Sequence, residues 1–419
     1  MTSKPTSQSY LKRHLEGALA AALEDTPVVC ILGPRQCGKS TLALHQDSER
    51  AYISLDDQNF YHLATADPQG FIDDLPEYVT IDEVQRVPEL TLAIKRSVDA
   101  NRKPGRFLLT GSANLLQLPR LADSLAGRME CIHLHTFSEA EKQAGSGRFL
   151  EQWLGGQLDT KLSASAPPEA STLPARIIAG GYPEAFQRKP TRARQWQAQY
   201  IQSIIERDIH DISQVKDGSD VARFIEYMSH QTAQLLNVTE TAKALGHTRA
   251  TVEKYLVILE RLYLLRRLPA WHRNSSKRLV KAPKVHICDS GLAAALSGIN
   301  ETIWMQDRSR FGHLVESFIV QQLCIQASWM ESKISLWHYR DKDKVEVDCV
   351  LTQGKRTWGV EVKAASNIRP SDSKGLRRLA EQAGSDFQGG IVFYDGTTIL
   401  PIDKTLNLYA VPISKLWEL

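Results

Sequence analysis

The sequence predicts an α/β protein that begins with a parallel sheet covered by helices. Short apolar runs alternate with helical patterns over residues 1–140, as is typical of parallel sheets. A helix-turn-helix pattern with a basic segment follows, and a second mixture of helical and strand-like segments fills the rest of the chain. These three observations divide the sequence into four predicted parts, which are 1–140, 141–215, 216–285 and 286–419.

The composition is that of a globular protein with several domains. The chain has 419 residues, of which 42% are hydrophobic and 24% charged, and its net charge is only +3. So small a net charge gives no general argument for nucleic-acid binding, which must come from local patches. Six cysteines without a CxxC pair, no signal-like N-terminus and no apolar stretch of ~20 residues predict a cytoplasmic protein with reduced thiols and no membrane partner.

The first predicted strand leads directly into a glycine-rich loop. The predicted strands of this part are 28–32, 51–55, 78–81, 107–110 and 130–134. Residues 33–40 read Gly-Pro-Arg-Gln-Cys-Gly-Lys-Ser, a complete GxxxxGK[ST] motif between a strand and a helix. Backbone N–H groups of such a loop and the helix N-terminus bind phosphates. The alternative, a glycine turn with a chance lysine, fits this strand and helix context less well.

Further polar residues follow the next strands and complete a predicted ATP site. Asp82 and Glu83 end an apolar strand, where an Asp would hold Mg²⁺ and a Glu would activate the attacking water. Ser112 follows the next strand as a candidate γ-phosphate sensor, although a plain turn is nearly as good an interpretation. The residues predicted to bind ATP are Gly33, Pro34, Arg35, Gln36, Cys37, Gly38, Lys39, Ser40, Thr41 and Ser112, with Ser40 and Asp82 as Mg²⁺ ligands and Lys39 also catalytic.

Arg128 is a candidate arginine finger. It stands in Leu-Ala-Gly-Arg, directly before a predicted strand. An arginine finger would enter the ATP site of a neighbouring subunit and stabilise transition-state charge. The alternative is a surface arginine, and the sequence of one chain does not decide between them.

The middle of the chain predicts a winged helix. A helix over about 191–210 precedes it, and Asn237 with Glu240 three positions later indicates a capped helix start. A turn at 246–248 and a second helix over 249–259 complete the helix-turn-helix.

A basic segment follows the helix-turn-helix. It runs over 261–284 without an acidic residue and contains Arg261, Arg266, Arg267, Arg273, Lys277, Arg278, Lys281 and Lys284. Apolar stretches on both sides fit a β-hairpin wing. The predicted DNA contacts are Arg249, Lys254, Arg273, Lys277 and Arg278. Winged helices in ATPases also serve as packing modules, and that alternative stays open.

A second group of candidate catalytic residues lies near the C-terminus. Strand alternation places Asp348, Glu361 and Lys363 together on two neighbouring strands, and Glu316 on a helix adds a carboxylate. Oxygen ligands of this kind suit Mg²⁺ or Mn²⁺, which would polarise a phosphodiester while Lys363 orients the water. Glu316, Asp348 and Glu361 are the predicted ligands, and Asp348, Glu361 and Lys363 the catalytic residues. Surface ion pairs and an inactive relic of a nuclease are the alternatives.

The sequence resembles prokaryotic AAA-type ATPases that carry a C-terminal domain of unknown function, DUF4143. The motifs that carry the resemblance cover nearly the whole chain and stand at 33–40, 81–85, 109–112, 125–128, 180–183, 206–209, 289–292, 346–348 and 361–363. The resemblance implies a P-loop AAA-type core, a winged helix and a restriction-endonuclease-like PD-(D/E)xK domain. It also implies a role near the nucleotide for Arg128 and Arg207. The proline that often precedes the Asp in that nuclease superfamily is absent, and Val347 takes its place.

Two functions follow from these predictions. The first is an ATP-driven, Mg²⁺-dependent enzyme that works as a homo-oligomeric ring, moves or remodels duplex or branched DNA, and carries a nuclease site. The second is a nucleotide-dependent assembly switch whose C-terminal domain is inactive and binds partners.

Overall fold

The computed structural model describes residues 10–47, 49–112, 125–159, 172–212, 218–274 and 281–419. The chain forms two compact units, Met1–Phe137 and Ser138–Leu419.

A five-stranded parallel sheet forms the centre of the first unit. Its strands are β1 (Val28–Leu32), β2 (Ala51–Ser54), β3 (Val79–Asp82), β4 (Phe107–Gly111) and β5 (Met129–His133), in the order β2-β3-β4-β1-β5. Every residue of β1 and β4 is buried, since both strands lie inside the sheet and are covered on both faces. This burial explains why both read as continuous apolar runs.

The helices of this unit are α1 (Glu16–Asp25), α2 (Lys39–Gln46), α3 (Gln58–Ala66), α4 (Pro68–Asp73) and α5 (Leu90–Ala100). Side-chain caps fix the starts of two of them. Asp57 accepts a hydrogen bond from the backbone of Asn59 at 2.8 Å, and Asp67 accepts one from Gly70 at 2.9 Å.

The second unit begins with helices and ends with most of its strands. Its helices are α6 (Glu139–Lys142), α7 (Phe149–Leu154), α8 (Thr172–Ala179), α9 (Pro183–Phe186), α10 (Pro190–Ile212), α11 (Gly218–His230), α12 (Val238–Leu245), α13 (Arg249–Arg261), α14 (Ser290–Ser297), α15 (Glu301–Gln306), α16 (Arg308–Ala327), α17 (Lys374–Ala383) and α18 (Lys415–Glu418). Its strands are β6 (Gln234–Leu235), β7 (Leu265–Leu268), β8 (Lys284–Ile287), β9 (Ser335–Arg340), β10 (Glu346–Gln353), β11 (Arg356–Lys363), β12 (Phe387–Tyr394), β13 (Leu400–Asp403) and β14 (Leu408–Pro412).

A six-stranded mixed sheet dominates the C-terminal half of this unit. Its order is β13-β14-β12-β11-β10-β9, with parallel pairing of β11 to β12 and of β12 to β14. Helix α16 contacts β11, and α17 packs on β10, β11 and β12. The main hydrophobic core runs from the first helices of the unit to its last strands, as the contact between the rings of Phe149 and Phe393 shows, with centroids 5.5 Å apart.

A small antiparallel sheet connects the middle of the unit to this larger sheet. Its strand order is β6-β8-β7. Along the chain, α11 precedes β6, and α12 and α13 lie between β6 and β7. Helix α12 begins at the predicted cap, where Asn237 Oδ1 accepts from the Glu240 backbone at 3.1 Å. It ends at Gly246, whose φ of 70° is the left-handed conformation that glycine favours.

The predicted α/β class is confirmed, with a parallel sheet at the N-terminal end and a mixed sheet at the C-terminal end. No helix in the described part of the chain is long and apolar enough to span a membrane.

Candidate functional site

The glycine-rich loop joins β1 to α2 at the carboxyl edge of the parallel sheet. A Cβ on Gly33 would lie 2.1 Å from the carbonyl oxygen of Leu134, so only glycine fits there. Gly38 has φ 101° and is the N-cap residue of α2, again a conformation that suits glycine. Both glycines of the motif are therefore required by the backbone that forms the loop.

Lys39 is buried, and its ammonium is held against the loop. Its Nζ donates to the carbonyl oxygens of Gly33 at 3.1 Å and Pro34 at 2.8 Å. Arg13 supports the other side of the loop, donating from Nη1 to the Cys37 carbonyl at 3.0 Å and from Nη2 to the His135 carbonyl at 2.8 Å. The loop is thus held in shape by two buried cations that have main-chain partners.

Asp82 lies at the end of β3 and collects hydroxyl groups from three other elements. Its Oδ1 accepts from Ser40 Oγ at 2.9 Å and from Thr110 Oγ1, and its Oδ2 from Ser54 Oγ at 3.4 Å. Burial and the nearby Asp82 carboxylate raise the pKa of Tyr52 above its ordinary value. The two predicted Mg²⁺ ligands, Ser40 and Asp82, are therefore in direct contact.

Glu83 has an unusual backbone conformation and a side chain held by an amide. Its φ of 57° and ψ of 43° are left-handed, which is strained for a residue with a side chain. Its backbone N–H donates to Thr110 Oγ1 at 3.2 Å, and its Oε2 accepts from Gln85 Nε2. Gln85 Nε2 also donates to Ser112 Oγ at 3.0 Å. Thr110 and Gln85 thus connect β4 and the residue that follows it to the carboxylates of Asp82 and Glu83.

The donor set fits Mg²⁺ that arrives with ATP. Mg²⁺ keeps several waters and takes one or two protein oxygens plus phosphate oxygens, and Ser40 and Asp82 can supply those two oxygens. The pair is 2.9 Å apart and lies beside the loop and the start of α2.

Arg128 lies on the opposite edge of the same sheet. It immediately precedes β5, and its carbonyl accepts from the backbone of Val28, the first residue of β1. Its guanidinium is partly exposed, ion-paired with Asp99 and bonded to the Ala126 carbonyl at 3.1 Å. The five residues of β1, at ~3.3 Å each, separate this edge from the loop by roughly 16 Å. Arg128 is therefore too far from the loop to contact a phosphate that the loop of the same chain would bind.

The C-terminal carboxylates surround Lys284, which the sequence analysis assigned to the basic segment at 261–284. Lys284 Nζ lies 2.8 Å from Glu316 Oε1, 3.1 Å from Asp348 Oδ1 and 3.8 Å from Glu346 Oε2. The Lys284 side chain is only 4% exposed. Burial lowers its pKa, but the Asp348 and Glu316 carboxylates outweigh burial, so the pKa is raised and the ammonium keeps its charge. Burial and Asp348 raise the pKa of Glu316 well above its ordinary value.

Glu361 and Lys363 form the other half of this cluster. Lys363 Nζ donates to Glu361 Oε1 at 2.8 Å, while Glu361 Oε2 is buried and has no hydrogen-bond partner among the described residues. Burial and the Asp348 carboxylate raise the pKa of Glu361 to about 8. Asp348 Oδ2 accepts from the Val362 backbone at 2.9 Å. The four residues Glu316, Asp348, Glu361 and Lys363 thus lie in one cluster, three of them on the strands that alternation indicated and Glu316 on α16.

This cluster does not fit a divalent metal ion. The ammonium of Lys284 lies between the carboxylates of Glu316 and Asp348, in the space that a metal ion shared by them would need. Within the described ranges, no three His, Cys, Asp or Glu side chains have a geometry that could hold a metal.

The basic segment is not a continuous exposed surface. Lys284 is buried, and Arg267 is ion-paired with Glu253 and Glu260, so the prediction of an exposed basic wing is wrong for these two residues. Charge along the chain does not reveal partners that the fold supplies from other elements. Of the predicted DNA contacts, Arg249, Lys254 and Arg273 are exposed. Lys277 and Arg278 lie outside the described residues, as does the side chain of Arg207.

Sequence reasoning missed three residues that shape the site. Thr110 ends an apolar run as a single hydroxyl, Gln85 stands two residues after Glu83, and Arg13 precedes the first strand. Gln85 and Thr110 had a usable signal, since they belong to the motifs at 81–85 and 109–112, whereas Arg13 belongs to none of the motifs.

Three family models match the chain. Residues 25–142 match an AAA domain, residues 170–302 a domain of unknown function (DUF8612), and residues 311–416 another domain of unknown function (DUF4143). The AAA match covers the glycine-rich loop, Asp82 and Glu83, and the DUF4143 match covers the carboxylates around Lys284. The predicted resemblance is confirmed at both ends of the chain.

Two curated relatives are uncharacterized proteins of Mycobacterium tuberculosis and Mycobacterium bovis. Each is 28% identical over 412 residues, covering 97% of this chain and 84% of the relative.

Similar solved structures include a Walker-type ATPase of Pyrococcus abyssi and a RuvB variant of Thermotoga maritima. The first is 15% identical with a TM-score of 0.41 and covers 68% of this chain and 96% of its own. The second is 18% identical with a TM-score of 0.28 and covers 61% and 89%. Both TM-scores are too low to support an argument.

Proposed function

Because this chain joins a P-loop AAA domain to a DUF4143 domain, we propose that it is a Mg²⁺-dependent ATP hydrolase. The observation that carries the proposal is the network in which Ser40 and Thr110 both donate to Asp82, beside Glu83 and the phosphate-binding loop. Three elements that are distant in sequence bring together the groups that phosphoryl transfer to water requires.

Each residue has a role that its position supports. Lys39, now bonded to the carbonyls of Gly33 and Pro34, would exchange these partners for the β- and γ-phosphate oxygens. Ser40 and Asp82 would hold Mg²⁺, which would supply charge neutralisation at the transferring phosphate. Glu83 would accept the proton of the attacking water.

Gln85 would control the availability of Glu83. Its amide donates to Glu83 Oε2 and to Ser112 Oγ, so it connects the catalytic carboxylate to the candidate γ-phosphate sensor. A change at Ser112 on phosphate binding would reach Glu83 through this single side chain.

The active enzyme would be a homo-oligomer, with a ring as the simplest form. Arg128 lies on the edge of the sheet opposite the loop and is partly exposed, so as an arginine finger it would act on the nucleotide of another copy. An arginine finger supplied in trans would make hydrolysis depend on assembly.

DNA is the substrate on which we propose that the ATPase acts, as duplex or branched DNA. The order helix, strand, two helices and two strands over α11 to β8 suits a winged helix. Arg249 at the start of α13 and Lys254 five residues later are exposed cations on the helix that would face DNA. Phosphate contacts of this kind would weaken as salt is raised.

The test is the ATPase rate with single-stranded, duplex and branched DNA. We expect stimulation that falls between 50 and 200 mM salt and that is reduced at least ~10-fold in an Arg249→Ala/Lys254→Ala variant. Lys333→Ala/Lys355→Ala, which removes two exposed lysines elsewhere, is the matched control. ATP turnover that is identical with and without every DNA would reject the DNA-directed function while leaving ATP hydrolysis in place.

The second candidate function is a nucleotide-dependent assembly switch. The observation that favours the switch is that the ammonium of Lys284 lies between the carboxylates of the C-terminal cluster. A cluster without a metal ion would not cut DNA, so the C-terminal domain would bind partners instead. Turnover that is insensitive to DNA, together with an oligomeric state that changes with ATP, would favour the switch.

A further inference from the structure

The carboxylates that match the nuclease-like motif already have a cation of the chain's own. Lys284 Nζ lies 2.8 Å from Glu316 Oε1 and 3.1 Å from Asp348 Oδ1, with Glu346 Oε2 at 3.8 Å. These carboxylates come from α16 and β10, whereas the lysine comes from β8, 32 residues before Glu316 and 64 before Asp348.

A divalent metal ion would compete with this ammonium for the same oxygens. Mg²⁺ requires its oxygen ligands at about 2.0–2.1 Å, so an ion shared by Glu316 and Asp348 would lie in the space of Lys284 Nζ. Asp348 Oδ2 accepts from the Val362 backbone and Glu361 Oε1 from Lys363, which leaves Glu361 Oε2 as the one oxygen of these two carboxylates without a partner among the described residues.

The backbone holds Lys284 in this position. It is the first residue of β8 and pairs with Leu235 of β6 on one side and Leu268 of β7 on the other. Its side chain is 4% exposed, and moving the ammonium to solvent would break its contacts with Glu316 and Asp348. Leaving would also strand the buried carboxylates without a counter-charge.

We propose that Lys284 is the resident cation of this cluster in place of a divalent metal ion, and that the C-terminal domain does not hydrolyse phosphodiesters. In this arrangement the ion pairs of Lys284 with Glu316 and Asp348 hold β8 against α16 and β10. They thereby attach the three-stranded sheet to these two elements. The cluster therefore has a structural role, which is to stabilise the packing of these elements inside the second unit.

The proposal is tested by measuring Mn²⁺ binding to the full nucleotide-free chain. The electron paramagnetic resonance signal of free Mn²⁺ reports how much of the ion remains unbound. We expect wild type and Asp348→Asn to bind the same amount of Mn²⁺, because Asp348 holds no metal ion in wild type. Lys284→Met should gain one site, at least ~10-fold tighter than any in wild type, because two carboxylates lose their counter-ion. Lys284→Met/Asp348→Asn should lose that site again.

Lys281→Met is the matched control, since it removes an exposed lysine three residues away. It should bind Mn²⁺ as wild type does. Circular dichroism melting reports whether each variant folds. If Lys284→Met does not fold, the comparison of wild type with Asp348→Asn decides the question without it.

Two results would overturn the proposal. One is Mn²⁺ bound by wild type and lost in Asp348→Asn, or cleavage of supercoiled DNA that depends on Asp348. The other is a folded Lys284→Met variant that gains no Mn²⁺ site. Neither result bears on ATP hydrolysis, which is measured separately.

Discussion

At the scale of single residues, Thr110 holds the ATP site together. Its hydroxyl donates to Asp82 Oδ1 and accepts the backbone N–H of Glu83 at 3.2 Å. One buried hydroxyl therefore orients the predicted metal ligand and the predicted base at once. Because Glu83 has a strained left-handed backbone, its conformation depends on such contacts.

Thr110→Val should keep the fold and slow ATP hydrolysis by about 10- to 100-fold. Valine keeps the shape of threonine but removes a hydrogen bond to a charged group, worth ~1.5–3 kcal/mol, and leaves the Glu83 N–H unsatisfied. Steady-state phosphate release measures the effect. Thr80→Val, at a buried threonine on β3, is the control and should stay near wild type. Equal rates in wild type and Thr110→Val would remove Thr110 from the mechanism.

The residues of the ATP site were only partly predictable from the sequence. The loop at 33–40 and the pair Asp82 and Glu83 carry a spacing that reports chemistry directly. Thr110 and Arg13 act through contacts to Asp82 and to the Cys37 carbonyl that only the folded sheet creates. A single threonine or arginine has no pattern from which such contacts could be read.

At the scale of elements, buried strands were predictable and the partners of charged groups were not. The run 28–32 matches β1, and 107–110 matches β4 within one residue, because both faces of these strands are buried. Lys284 instead looked like part of a basic wing. Its carboxylates lie 32 and 64 residues further along the chain, beyond the reach of any local pattern.

His338 on β9 makes the stability of the second unit depend on pH. It is 2% exposed, and its Nε2 lies 3.0 Å from the Ala282 carbonyl, so the neutral ring donates there. Burial, together with the charges of Lys284, Lys281 and Arg340, lowers the pKa of His338 to about 4. Its contribution is therefore complete above the unfolded pKa of ~6.5 and is lost as pH falls through about 4.

We expect the lowered pKa of His338 to make the second unit about 3 kcal/mol less stable in acid, since a tenfold change in proton affinity corresponds to ~1.36 kcal/mol. The melting temperature of the full chain, measured from pH 7.5 to 4.5, should fall less steeply in His338→Gln than in wild type. His230→Gln, at an exposed histidine, should follow wild type. Burial also lowers the pKa of His286, so a smaller slope of the same sign remains. Parallel curves for wild type and His338→Gln would contradict this account.

At the scale of the whole molecule, the proposed role of Arg128 would make catalysis a property of an assembly. Arg128→Ala should lose ATPase activity alone, and so should Lys39→Ala. Mixed oligomers should recover activity, because Lys39→Ala subunits supply the arginine to intact loops of Arg128→Ala subunits. Arg96→Ala, at an exposed arginine on α5, should remain active. Co-assembled oligomers without recovered activity would contradict a finger supplied in trans.

The central claim is that the loop at 33–40 and the carboxylates of Asp82 and Glu83 form one hydrolytic site. The variant Glu83→Gln tests this claim most directly. The change keeps the size of the side chain and removes the base, so ATP turnover should fall at least ~100-fold while ATP binding stays within ~3-fold of wild type. Glu89→Gln, at an exposed glutamate six residues later, should hydrolyse ATP normally. Turnover of Glu83→Gln within ~3-fold of wild type would contradict the account.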